Sequence, residues 1–474
     1  MKILLVWPTP DPLIKMLLDE IELSGHEIVY WVGEWPTAHL TPAGAIFHDH
    51  YDAWAAQPAN VLAAQSTPPD EGLIHEMVST ESAVLPMMNK RYDVASVDER
   101  KQVYYDMLGY WNSVIEKLKP DAVVFGTIPH SIYGYIIYEL ARKRGIPTLC
   151  SEPTWVACRH LFYRDFRKGS DAFRESIERF RTQNISPSEL DVELQEYWEG
   201  HTGKNARTEP VYTATERKVA QGWGHALHRL RTAVKTLHEG RFISTIVANI
   251  RRANKGKLRS DYARVVKPAD LKKPFVYFPL HFQPECTTTP QGGVFHQQIL
   301  VAETLAAALP DGWELYMKEH PGQWWARAKD SYSCVRYPGY YERLARIPRA
   351  QLVPVDTNTY DLTDRSRAVA VINGTAGWEA LLHGKCPLVF GIPWWRDYPG
   401  VFRVNSVESC MGAFREIEAG AHTTQASMLP FLKALEEASV RVYTADPMEK
   451  KPRYTPEENM RMLAAHVCKL IRAM

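Results

Sequence analysis

Short runs of consecutive apolar residues alternate with longer stretches whose apolar positions recur every three or four residues, and this alternation occurs twice along the chain. At the start, Lys2–Val6 is an apolar run. The turn-rich Trp7-Pro8-Thr9-Pro10-Asp11-Pro12 follows it, then a helical pattern from Leu13 to Leu23 and a second run, Glu27–Val32. Strand, helix, strand is the opening of a Rossmann-like unit. After a less regular stretch rich in Pro and Ala, the spacing predicts a helix over Glu99–Leu118. It leads into Asp121–Gly126, which has the unbroken apolar character of a strand buried on both faces. A further helix, Tyr133–Arg144, is closed by Gly145 and Pro147, and Thr148–Ser151 resumes the sheet.

The second alternation begins at Phe275–Phe278 and continues through a helix at Gln297–Ala308 to the run Glu314–Met317. Leu352–Pro354, Ala368–Ile372, a helix over Trp378–His383 and Pro387–Phe390 complete it. The fold class is therefore α/β, with two Rossmann-type domains facing a cleft. The expected boundaries are an N-terminal Rossmann-like domain at 1–165, a helical linker or insertion at 166–270 and a C-terminal Rossmann-like domain at 271–445. A final helix is expected within 446–474, and by analogy with proteins of this two-domain architecture it crosses back to pack on the first domain. Residues 217–273 hold fifteen Lys or Arg against a few acids, on a segment that also carries Leu227, Leu230, Val234, Ile243 and Val247. Such a stretch can lie on an anionic membrane surface, or be an ordinary solvated helical face.

Composition narrows the classes. A length of 474 residues suggests two or three domains, and a formal net charge of +1 with 45% hydrophobic residues excludes bulk disorder and generic nucleic-acid binding. The N-terminal apolar run is too short for a signal peptide, and no stretch approaches a membrane span. A cytosolic protein is expected, peripheral on the inner membrane face if the basic segment docks there. The seven cysteines are scattered with no C-x-x-C pair, so they read as reduced thiols and zinc is not expected. His48-Asp49-His50 reads as a solvated loop rather than a ligand cluster, because further ligands are missing nearby.

The candidate chemistry falls at strand ends, where parallel sheets bind ligands. Asn373-Gly374-Thr375-Ala376-Gly377 is the turn between a strand and the helix that carries Glu379; its small residues let backbone amides approach a phosphate. A tight, capped turn would look the same. Lys318-Glu319-His320-Pro321 follows the run ending at Met317. Pro321 keeps His320 out of the helical region, so its imidazole can donate to a leaving phosphate while Lys318 adds positive charge. The long polar loop from Gln283 through Thr288 to Gly292 and Gly293 completes one plausible pocket.

These segments together, Tyr277–Glu285, Gly292-Gly293, Lys318–Pro321 and Gly374–Leu381 with Gly384-Lys385, resemble the capsule polysaccharide biosynthesis proteins. That family includes Kdo transferases and, more distantly, bacterial sialyltransferases with a His-Pro motif. The resemblance implies a GT-B glycosyltransferase using a CMP-activated acidic sugar such as Kdo and a surface-polysaccharide or glycolipid acceptor. It implies His320 on the nucleotide phosphate, the Gly374–Gly377 loop on the nucleotide and Glu379 on the ribose hydroxyls. The paired serines of the sialyltransferases are replaced here by Gly-Thr-Ala-Gly.

An inverting transferase also needs a base for the acceptor's proton. Glu152, just past the strand ending at Ser151, is the first candidate, and His130 the second. An Asp-x-Asp element after a strand is lacking, so neither metal nor other cofactor is expected. Three alternatives share these features: a CDP-linked polyol-phosphate transferase, a UDP-sugar 2-epimerase and a nucleotide-binding scaffold of a polysaccharide assembly complex.

Overall fold

The structure is a computed structural model that describes residues 1–59, 61–62, 66–202, 258–285, 288–325, 332–444 and 453–474. The basic segment lies outside the described residues up to residue 257. The chain forms two compact units. Unit 1 contains Met1–Met88, Ala95–Tyr197 and Leu429–Met474; unit 2 contains Asn89–Val94 and Trp198–Met428. Among the described residues, no helix is long and apolar enough to cross a membrane.

Unit 1 is built on strands β1 (Lys2–Val6), β2 (Glu27–Gly33), β3 (Ile46–Asp49), β4 (Ala122–Phe125), β5 (Thr148–Pro153) and β6 (Arg159–Tyr163). Their order across the sheet is β6-β5-β4-β1-β2-β3. The first five are parallel, β6 is antiparallel to β5, and a two-residue strand at Val440–Arg441 adds to β6. Helix ends follow local chemistry. Ser96 and Glu99 form a capping box that starts Val97–Leu118, and Lys119, at φ 47°, ends it. Thr455 and Glu458 do the same for Pro456–Arg472. That last helix buries Leu463, Val467 and Ile471 with Leu17, Leu18 and Ile21 of the helix Ile14–Leu23.

The observed boundaries differ from those read along the chain. The return to unit 1 begins at Leu429 rather than 446, and the helix Asp171–Phe180, expected in a linker, packs Phe173 on Phe431 within unit 1. His48-Asp49-His50 is corrected as well. His48 is a buried residue of β3, hydrogen-bonded through Nδ1 to the Tyr30 hydroxyl at 2.7 Å and through Nε2 to the Gln57 carbonyl at 2.9 Å. Asp49 caps the following short helix, and His50 bonds the Tyr133 hydroxyl at 2.6 Å. A polar residue at a buried position of this edge strand gives no apolar signal, although its partners make burial tolerable.

Unit 2 has β7 (Phe275–Pro279), β8 (Glu314–Lys318), β9 (Ala350–Leu352), β10 (Ala368–Val371), β11 (Leu388–Val389) and β12 (Phe402–Arg403). All are parallel, in the order β12-β11-β10-β7-β8-β9. The chain runs outward from β7 to β9, then returns to the other side of β7 as β10. Loops leaving β7 and β10 therefore diverge, and the crevice at their carboxyl ends is the topological switch point. Unit 1 has the same topology around β1 and β4. There the buried Trp7 indole lies on Gly126, where a Cβ would come within 2.8 Å of the ring.

Candidate functional site

The switch point of unit 2 is lined by polar groups rather than by an indole. His281 follows β7 and is buried; its Nε2 accepts the backbone N–H groups of Ile372 and Asn373 at 3.2 and 3.3 Å. Its proton therefore sits on Nδ1, and burial pushes its pKa down to about 3, so the ring is neutral. This bond ties the β7 loop to the β10 loop. Gly374 packs closely beside it, since a Cβ there would lie 3.0 Å from His281 Nε2 and the ring would have to shift to admit it.

The turn after β10 ends in the helix Thr375–Leu382, with Gly374 at its N-cap. Glycine has no side chain to accept from the first amides; the Gly377 N–H bonds the Gly374 carbonyl at 3.1 Å, which leaves those of Thr375 and Ala376 to water or a ligand. Gly374, Thr375 and Ala376 are part-exposed, whereas Gly377 is buried with a hypothetical Cβ 2.5 Å from Trp395 and 2.7 Å from Val371. The glycines let the helix start lie close against its neighbours. Asn373 is buried and its Oδ1 has no hydrogen-bond partner, an orphaned polar atom at the mouth of the turn. Glu379, one turn into the helix, is part-buried, and desolvation pushes its carboxyl up to about 7.

The loop after β8 is held by a buried ion pair that local sequence gave no reason to suspect. Glu319 and Arg336 are both fully buried, with Arg336 Nε and Nη2 donating to the two Glu319 oxygens at 2.7 and 3.1 Å. The Tyr341 hydroxyl donates to Glu319 at 2.6 Å, and the His320 backbone N–H does so at 2.8 Å. Arg336 also reaches the Gln283 side-chain oxygen and the His281 carbonyl, each at 3.1 Å, and lies over the Tyr340 ring at 4.5 Å. One guanidinium thus fixes the loops after β7 and β8 together.

His320 is oriented by this anchor. Its Nδ1 accepts the Gly322 N–H at 3.1 Å, so the proton is on Nε2. Its pKa lies below the ordinary value, chiefly through burial and, beyond the opposing Glu319, through the Arg336 and Lys318 charges. Neutral His320 keeps one N–H donor. Pro321 turns the chain into the short helix Gly322–Trp325.

Other expected ligand groups are engaged within the chain. Lys318 is buried and donates to the Thr357 carbonyl at 2.9 Å and to the Thr359 hydroxyl; burial brings its pKa down to about 8. Gln283 accepts from Gln298 at 2.7 Å and donates to the His296 carbonyl at 2.9 Å, which makes it a tie between loops. Thr288 is fully buried and donates to the Glu285 carbonyl at 3.0 Å. Gly292 packs against Thr288 and Ile372, and Gly293, at φ 52°, begins the 3-10 turn Gly293–His296. The switch point thus gathers His320, Asn373 and Gly374–Gly377 most directly.

In unit 1, Glu152 is not beyond its strand but within β5, opposite Leu161 of β6, and its carboxylate accepts from the Tyr163 hydroxyl at 2.7 Å. The parallel pairing stops at Cys150, and the apolar run ends there too, which is why the strand looked shorter. His130 follows β4; its Nδ1 pairs with the Ile128 carbonyl at 2.8 Å, which leaves the lone pair on Nε2. Among the described residues, no group of three or more His, Cys, Asp or Glu side chains is placed to hold a metal.

Residues 224–430 match the family model described as capsule polysaccharide biosynthesis protein. The match spans less than half of the chain, and this part of it is similar to the capsule polysaccharide biosynthesis proteins. The matched residues include the switch-point residues described above, from His281 to Trp395. Among solved structures, the chain is similar to two Thermosulfurimonas dismutans KpsC transferases. The β-Kdo 2,7 transferase is 12% identical, with 79% of this chain and 91% of that chain covered at a TM-score of 0.32. The β-Kdo 2,4 transferase is 12% identical, with 74% and 87% covered at 0.29. A Neisseria meningitidis UDP-GlcNAc 2-epimerase is 10% identical, with both chains covered at 100% and a TM-score of 0.24. Scores this low carry no weight on reaction or substrate, and the two-Rossmann architecture rests on the strand orders given above. No curated protein matches the chain in sequence.

Proposed function

We propose that this protein is a glycosyltransferase that moves a sugar from a nucleotide-activated donor, held by unit 2, to a surface-polysaccharide or glycolipid acceptor. The observation that carries this reading is His320: a neutral imidazole with its donor on Nε2, braced by the buried Glu319–Arg336 pair at the same sheet edge as an uncapped helix start. A phosphate there meets an imidazole N–H, backbone amides and the positive end of a helix. As the bond from the anomeric carbon to the phosphate oxygen breaks, the electron pair stays with that oxygen. The added charge strengthens each of these hydrogen bonds, so the site favours departure. Lys318, tied to Thr357 and Thr359, adds a buried positive charge behind the same loop.

The donor in this reading is a CMP-activated acidic sugar such as Kdo, a choice supported by the family resemblance. The acceptor oxygen forms the new bond to the anomeric carbon and loses its proton to Glu152, with His130 the second candidate. Thermal stabilisation of the full chain by CMP, CDP and UDP tests the donor side, because a ligand bound only by the folded state raises its stability. CMP should stabilise most. Equal indifference to all three nucleotides would sink the proposal, and a preference for UDP would redirect it to another donor or to epimerisation. Glu152→Gln should abolish product formation while nucleotide stabilisation persists.

A further inference from the structure

Three exposed aromatic side chains occupy matching places in unit 1. Trp35 is 75% exposed, Tyr51 41% and Trp155 41%. Each stands two residues past a strand's last residue: Gly33 of β2, Asp49 of β3 and Pro153 of β5. Because β2, β3 and β5 are parallel, all three rings leave the sheet at its carboxyl edge. The other large exposed apolar residues of this unit are aliphatic or Met and lie elsewhere: Met1, Leu23, Val61, Val78, Val97 and Val192. Among the described residues of unit 1, the exposed large aromatics thus all follow strand ends at the edge where ligands of this architecture bind.

The backbone around one of them is held in an unusual state. Trp155, Ala157 and Cys158 have φ values of 59°, 48° and 54°, a left-handed conformation that costs a non-glycine residue free energy. The Thr154 side chain staples this turn, donating to the Arg159 carbonyl at 2.8 Å and accepting the Val156 N–H at 3.2 Å. The turn tucks Val156 fully inside while Trp155 stays outside. Trp35 is fixed too, its backbone N–H donating to Asp49 at 2.8 Å.

We infer that the carboxyl edge of the unit 1 sheet is a saccharide-binding platform, with Trp35, Tyr51 and Trp155 stacking on the apolar faces of successive sugar rings. The inference rests on the glycosyltransferase reading for its biological sense, and names the acceptor's chemical class. Rigid amphipathic rings give large contact area with little ordering cost. Glu34 directly precedes Trp35, Asp49 accepts the Trp35 and Tyr51 backbone N–H groups at 2.8 Å each, and Glu152 accepts the Tyr163 hydroxyl, so the carboxylates here hold the turns that carry the rings. With strands about 4.8 Å apart, β5 and β3 are four places, or roughly 19 Å, from each other. That span suits an oligosaccharide, not a single sugar. The negative charge of the same carboxylates disfavours a polyanion, and the buried Trp7 ring packs on Gly126 at the switch point between β1 and β4.

The test uses labelled full-length protein on an array of bacterial surface oligosaccharides, with Trp35→Ala, Trp155→Ala, the matching Phe variants and Leu23→Ala as a control. Wild type should bind glycans of three or more residues better than monosaccharides. Each Ala variant should weaken binding at least tenfold, the Phe variants should retain most of it, and Leu23→Ala should match wild type. Absence of wild-type binding, or Ala variants that melt and bind like wild type, would overturn the platform. If an Ala variant melts low, the Phe variant and a Tyr51→Ala variant decide the matter by the same criterion. Nucleotide stabilisation, measured in parallel, separates the two readings: glycan binding without any nucleotide response keeps the platform and removes the donor assignment, and the converse does the opposite.

Discussion

Arg336→Met should be the most damaging single change near the switch point. The substitution keeps most of the side-chain volume but removes both hydrogen bonds to Glu319, the bond to Gln283 and the bond to the His281 carbonyl. Glu319, at 0% exposure, is left with only the Tyr341 hydroxyl and the His320 N–H. An uncompensated buried charge of this kind costs about 3–5 kcal/mol. At about 2–4 °C per kcal/mol for a unit of this size, the transition of unit 2 should fall by roughly 6–20 °C. Intrinsic tryptophan fluorescence on heating, read as separate transitions for the two units, measures it. The double variant Arg336→Met with Glu319→Met should recover much of the loss, since replacing both charges by apolar groups is far less costly than removing one. A single variant melting within about 2 °C of wild type would refute the reasoning. So would a double variant whose loss equals the sum of the single losses, which would mean that the pair is not coupled.

Four further outcomes are expected. His320→Ala should weaken nucleotide binding tenfold or more, as loss of a hydrogen bond to a charged group of about 1.5–3 kcal/mol requires, and unchanged calorimetric affinity for CMP would remove His320 from the phosphate. Gly377→Ala should destabilise unit 2 by about 1–3 kcal/mol, because the added methyl meets Trp395 and Val371; an unaltered urea midpoint would contradict this. Burial brings the pKa of His48 down to about 4, so the unfolded chain takes up a proton at higher pH than the folded one. Its contribution is therefore present above about pH 6.5 and is lost as pH falls toward 4, and a His48→Gln variant should show a flatter melting profile over that window. Glu379→Gln should raise the melting temperature at pH 8, where the folded state carries a desolvated carboxylate whose pKa is near 7, yet weaken nucleotide binding; a lowered melting temperature would show that the carboxylate is stabilising.

What the sequence determined by itself was local and periodic. The interior strands β1, β2, β4, β7, β8 and β10 announced themselves because a strand covered on both faces must be continuously apolar. Their carboxyl ends carried Lys318–Pro321 and Asn373–Gly377, so the candidate nucleotide site was legible as two strand-end turns. β3 was not, since its buried face carries a histidine whose partners, Tyr30 and Gln57, come from other segments. β6 and the Val440–Arg441 strand were equally silent, being short antiparallel additions set by pairing rather than composition.

Only the tertiary structure could decide which distant groups meet. Arg336 is 17 residues from Glu319 and 53 from Gln283, and nothing in its own neighbourhood marks it as the anchor of the β7 and β8 loops. His281 reaches Ile372 and Asn373 across 91 and 92 residues because β10 returns beside β7. Segment 429–474 joins unit 1 for a related reason: an amphipathic helix declares an apolar face but not its partner, and the partner here, Ile14–Leu23, lies at the far end of the chain. Periodicity is a property of neighbours along the chain, whereas burial, pairing and charge compensation are properties of neighbours in space.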